Sequence, residues 1–86
     1  MLKIYGSMLC PDCVRCCDDL DQSGVRYEFL DFADSLKNLK EFLVIRESDM
    51  QFEGVRQMGS IGIPCIVEPN GKISLSWEQY VTQTKA

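Results

Sequence analysis

Apolar and polar residues alternate at the start of the chain, Leu2-Lys3-Ile4-Tyr5, and this spacing predicts a short strand that Gly6 and Ser7 break. Pro11 suits the first turn of a helix, where its missing N–H leaves nothing unpaired. The helix is predicted over residues 11–22, with Gly24 suited to its C-terminal cap. Cys13, Cys16, Cys17 and Leu20 then share one face, with Arg15, Asp18 and Asp19 turned away. Residues 25–32 read as a second strand carrying Val25, Tyr27 and Phe29 on one side.

Further along, Asp34 is the expected cap of a second helix with Leu36, Leu39, Phe42 and Leu43 as its apolar stripe. Ser48 and Gln51 have capping-box spacing, which predicts a separate short helix around residues 49–58. Gly59 and Gly62 bracket a loop, and Pro64 opens a strand at Cys65-Ile66-Val67-Glu68. Asn70-Gly71 is a hairpin signal, so residues 72–75 should return antiparallel. Ser76 with Gln79 is a second capping-box pair ahead of a final short helix. The order is β-α-β-α-β-β-α. A helix between the first two strands implies that they run parallel, and a four-stranded mixed sheet with helices on both faces closes the arrangement.

Composition narrows what such a domain does. With 86 residues the chain makes one domain, and 45% hydrophobic with 26% charged residues is ordinary for a soluble protein. A net charge of −4 opposes binding to nucleic acid or anionic membrane. No apolar run approaches a membrane span, and the opening residues lack the apolar stretch of a secretory signal, so a reducing cytoplasm is expected. Five cysteines cannot all pair within one chain. The absence of histidine excludes Ser–His and Cys–His hydrolytic arrangements and histidine metal sites.

The chemistry is concentrated at Cys10-Pro11-Asp12-Cys13, directly after the first strand and at the opening of a helix. Free N–H groups at a helix start favour a thiolate, the reactive form of cysteine. Cys10, at the exposed entry, is the expected nucleophile. Cys13, one turn further in, is placed to resolve a mixed disulfide by attacking Cys10. The charge of Asp12 works against a strongly acidic thiol, so a reductant is expected rather than a strong oxidant. Gly62-Ile63-Pro64-Cys65 is the second constellation, because a residue followed by proline at the head of a strand can adopt a cis peptide.

Taken together, the strand, the CPxC motif with Val14-Arg15 after it, the second β-α unit and the Ile-Pro loop entering a hairpin resemble a glutaredoxin over nearly the whole chain. The resemblance implies a thioredoxin-like fold and thiol–disulfide oxidoreductase activity in cell redox homeostasis and electron transport. It implies catalysis by Cys10 and Cys13, with Pro11 and Asp12 beside the substrate. Pro64 would be cis against the active-site cysteines, and the backbone of Ile63 would pair with the bound thiol substrate. The implied partners are protein or small-molecule disulfides and a reductase system or glutathione, acting on a monomer with no bound cofactor.

Several features depart from the family pattern, among them a stretch from Arg46 to Met58 that is longer than in a minimal glutaredoxin. Asp12 stands in place of a tyrosine, and Ser7 in place of a lysine three residues before the first cysteine. Gly62-Ile63-Pro64 replaces Thr-Val-Pro, and Ser74-Leu75-Ser76-Trp77 occupies the place of a Gly-Gly-acidic turn that holds the γ-glutamyl end of glutathione. Weak glutathione binding and reduction by a protein dithiol system are therefore expected, with Arg46, Arg56 and Lys40 as the candidate substitute donors. Cys16, Cys17 and Cys65 read as small apolar packing residues. The rival arrangement has the same cysteines converging on zinc or an iron–sulfur centre.

Overall fold

The structure, a computed structural model, describes residues 1–84, with side chains through residue 81. Strand β1 (Leu2–Gly6) leads into helix α1 (Pro11–Gln22), strand β2 (Tyr27–Asp31) and helix α2 (Leu36–Ser48). A 3-10 turn at Met50–Phe52 runs directly into α3 (Glu53–Met58). Strands β3 (Cys65–Val67) and β4 (Ile73–Ser74) and helix α4 (Glu78–Thr84) follow. The sheet order is β2-β1-β3-β4, with β1 parallel to β2 and the other two pairings antiparallel. This is an α/β arrangement with a four-stranded mixed sheet. Among the described residues no helix is long and apolar enough to cross a membrane.

Alternation along β1 sorts the interior into two cores. Leu2 and Ile4 join Ile66, Cys16, Leu20 and Tyr80, so α1 and α4 cover that face. Tyr5 turns to the other face with Phe42, Phe52 and Cys65, beneath α2 and the 3-10 turn. Phe42 is the hub there, with its ring centroid 5.2 Å from Phe32 and 5.8 Å from Phe52. Each of the fully buried side chains Ile4, Leu20, Ile66, Phe42 and Phe52 contributes roughly 1.5–3 kcal/mol. Trp77 Nε1 donates to Asp19 Oδ2 at 2.9 Å, linking the approach to α4 with α1.

Several sequence expectations shift. The α2 cap is Ser35, whose side chain accepts from Lys37 N–H at 3.1 Å, and not Asp34. Asp31 already organises the preceding turn, accepting from Ala33 N–H through its carboxylate and from Asp34 N–H through its carbonyl. The inward face of α2 is Leu39, Phe42 and Ile45, while Leu36 is 69% exposed. Asp49 replaces Ser48 as the cap of the next turn, and the Ser48 hydroxyl donates back to the Val44 carbonyl. In the hairpin, Gly71 N–H donates to the Glu68 carbonyl, so Pro69 and Asn70 are the central turn residues and Gly71 follows them. Ser76 and Gln79 form no reciprocal box: Gln79 Nε2 donates to Ser74 Oγ and to the Ser76 carbonyl.

Candidate active site

Cys10 is the residue that caps α1. Its backbone is extended (φ −92°, ψ 120°), and its carbonyl accepts the Val14 N–H at 3.2 Å. Ser7 shapes the turn in front of it. The Ser7 carbonyl accepts Cys10 N–H at 3.0 Å, and the Ser7 hydroxyl accepts Leu9 N–H at 3.1 Å. Where a lysine would offer charge, this chain has a turn-forming hydroxyl. Cys10 is half-buried and Cys13 fully buried, and both are free thiols. Leu9, immediately before the nucleophile candidate, is 94% exposed.

The neighbouring strand end makes room for Cys13. A Cβ on Gly6 would stand 2.6 Å from Cys13 Sγ and 3.4 Å from the Phe29 ring. Gly6 therefore belongs to β1 and lets the sulfur pack against its backbone, a role that a strand-breaking glycine does not announce in sequence. Asp12 pairs with Arg15 one turn on, so the charge expected to oppose Cys10 is partly compensated by a guanidinium. Both partners are exposed, and the pair is worth little to stability.

The second constellation meets the first through the sheet. The β1–β3 ladder runs Lys3↔Val67, Ile4↔Ile66, Tyr5↔Cys65. Beyond the last pair, Ser7 and Ile63 line the same cavity. The Ile63–Pro64 peptide is cis, as the motif allows. No backbone hydrogen bond of Ile63 is found among the described residues, which leaves its N–H and C=O free to pair with an extended chain.

Cys65 does not approach the α1 cysteines. It lies in the core beneath α2, while Cys16 packs in the core on the opposite face of the sheet. Among the described residues no three His, Cys, Asp or Glu side chains are grouped to hold a metal ion. The arginines considered as ligand donors both brace backbone carbonyls. Arg46 donates from Nε to the Ile61 carbonyl at 3.0 Å and from Nη2 to the Ser60 carbonyl at 2.6 Å. Arg56 donates to the carbonyls of Arg46 and Asp49. Side-chain bonds to distant backbone leave no periodic trace, so sequence reading missed both braces. Lys40 is exposed.

The chain is 38% identical over 72 residues, 84% of each protein's length, to an uncharacterized protein of Haemophilus influenzae. It belongs to the same family as that protein. No family model matches, and no solved structure matches.

Loss of solvation on burial pushes the Cys16 and Cys65 thiols up to about 12. It raises Cys17 as well, against a hydrogen bond with Tyr27 that lowers it. Burial also raises Cys13; a backbone hydrogen bond from Ser7 opposes this and the adjacent Cys10 sulfur adds to it. Unfolded thiols ionise near 9. Between about pH 9 and pH 12 the unfolded chain thus binds fewer protons than the folded one, and stability falls as pH rises through that window. Below it the contribution is fully present. Each buried thiol steepens the loss by up to about 1.4 kcal/mol per pH unit. Urea midpoints under a phosphine reductant should stay level to about pH 8 and then drop, with a shallower drop for Cys65→Ala. A level midpoint to about pH 10.5 would contradict the burial of these thiols.

Proposed function

We propose that the protein is a thiol–disulfide oxidoreductase on a thioredoxin-like fold, with Cys10 as nucleophile and Cys13 as resolving thiol. The observation that carries this reading is the pair itself: a half-exposed cysteine capping a helix, and a buried cysteine one turn inside with its sulfur beside the first. The element order and the sheet order β2-β1-β3-β4 support the fold assignment.

In the exchange, the Cys10 thiolate attacks one sulfur of a substrate disulfide. The substrate S–S bond breaks as the Cys10–substrate bond forms, and the departing thiolate takes up a proton. Cys13 then gives up its proton and attacks the Cys10 sulfur, which releases the second substrate thiol. Two electrons pass to the substrate, and a dithiol reductant restores the pair from the Cys10–Cys13 disulfide. The test is a thiol count. Protein oxidised by a small disulfide should gain two thiols on reduction and should turn over that disulfide. An unchanged count without turnover would reject the reading.

For the reductant we propose a protein dithiol system, with glutathione bound weakly. Glutathione brings two carboxylates that lose water on binding and need donors in return. At the turn that would hold its γ-glutamyl end, the donors are already paired internally. Ser74 Oγ donates to the Ser76 carbonyl at 2.9 Å and accepts from Ser76 N–H at 3.1 Å and from Gln79 Nε2 at 2.6 Å. Titration of glutathione into the Cys13→Ser variant, followed by NMR shifts, should give a dissociation constant above about 1 mM. Tighter binding together with failure of a thioredoxin reductase to drive turnover would overturn this choice.

A further inference from the structure

Ser7, three residues before Cys10, lines a cavity of about 350 Å³ that neither cysteine of the pair lines. Leu39 and Leu43 of α2, Phe32, and Ile61 and Ile63 of the loop before β3 form its apolar wall. Arg46 is the charged residue among those lining it, and Ser7 joins it to the turn that carries Cys10. Leu43 is 38% and Ile61 59% exposed, so apolar surface is left open where an exchange partner would sit. Among the described residues Asp12 pairs with Arg15 and Lys37 with Glu41, and no ion pair involves Arg46. The Arg46 guanidinium therefore holds the Ser60–Ile61 carbonyls with two of its N–H groups and has no carboxylate partner among the described residues.

We infer that this cavity selects the substrate, a protein disulfide whose cysteine has a large apolar neighbour and an acidic residue close by in sequence. The inference rests on exchange at Cys10 and adds which disulfides are taken. The unpaired Ile63 backbone offers an edge for an extended segment, and successive side chains of such a segment point to alternate sides. One neighbour of the substrate cysteine then meets the cavity, whose volume is at the small end for ligand pockets and suits a side chain better than a broad surface. Burying that side chain removes apolar surface on both partners from water. The acidic preference is local: the chain's net charge of −4 attracts no anion in general, so any gain must come from Arg46.

The test uses synthetic peptides in which one cysteine is joined to thionitrobenzoate, and follows release of the coloured thiol at constant peptide length. Leucine beside the cysteine should raise kcat/KM over alanine by about tenfold, the equivalent of burying most of one such side chain. Leu43→Gln and Ile61→Ser change exposed positions, so the fold should persist. Each should cut that ratio to below about threefold while leaving exchange with a small aliphatic mixed disulfide intact. A nearby glutamate should be preferred over lysine, and the preference should vanish at about 1 M salt. It should vanish in Arg46→Gln and survive in Arg46→Lys, which keeps the charge. A leucine-to-alanine ratio near one in the unaltered protein, or a ratio unmoved by both cavity variants, overturns the inference. Failure to exchange even the small disulfide overturns the oxidoreductase reading, and this inference with it.

Discussion

Replacing Cys10 with serine should bring disulfide reduction down to the uncatalysed rate, a loss on the order of a thousandfold or more. The reason is chemical before it is structural. A serine hydroxyl in the same place ionises far less readily and forms no stable bond to a departing sulfur, so neither half of the exchange proceeds. Cys13→Ser should behave differently. The first attack needs only Cys10, so this variant should accumulate a mixed disulfide with its substrate and show the added mass of one substrate thiol. Burial separates the two cysteines in the unaltered protein too. Cys10 is half-buried, whereas Cys13, Cys16, Cys17 and Cys65 are buried. Brief alkylation of the native protein near neutral pH should label Cys10 first, as read by peptide mass spectrometry. Faster labelling of Cys13 would exchange the two roles.

Much of this arrangement is legible in the sequence. Pro11 at the first helical position, four apolar residues at helical spacing and a following glycine predict the bounds of α1 as found, Pro11–Gln22. The placement of Cys10 and Cys13 follows from those bounds alone. Asn70-Gly71 likewise locates the hairpin, although the turn centres one residue earlier. Local signals succeed where one residue type meets one backbone requirement.

They fail where two candidates compete or where the partner is distant. Asp34 and Ser35 are both good caps, and the choice between them falls to Asp31, which has already used the Asp34 N–H in its own turn. In α2 the apolar positions exceed what one face can bury. Packing on the sheet takes Leu39, Phe42 and Ile45, and Leu43, outside that core cluster, lines the cavity that Leu39 and Phe42 also face. A periodic pattern cannot say which apolar residue joins a core and which is left half-exposed at a cavity. The same limit hid Arg46 and Arg56. Their partners are carbonyls 7 to 15 positions away in sequence, and nothing in the intervening residues marks them.

Gly62→Ala should cost more stability than any other glycine replacement that leaves the cysteines untouched, about 2–4 kcal/mol. Two penalties coincide there. The backbone sits at φ +89°, where a side chain is strained, and an added Cβ would fall 2.5 Å from Phe52 Cε2 and 3.0 Å from Val55 Cγ1. Phe52 cannot yield easily, since it is fully buried with its ring edge-on to Phe42. The loop must move instead, and it carries Ile61 and Ile63 with it. Gly24→Ala separates the two penalties: its φ is +72°, yet nothing lies within 4 Å of the added carbon. That variant should lose only the conformational part, about 1 kcal/mol. Urea unfolding of both variants measures the difference directly. The gap should also appear in function, because Gly62→Ala displaces the Ile63 edge and should slow exchange with peptide disulfides, while Gly24→Ala, at the far end of α1, should not. Equal losses of stability in the two variants would mean that Phe52 and the loop are not in the contact described.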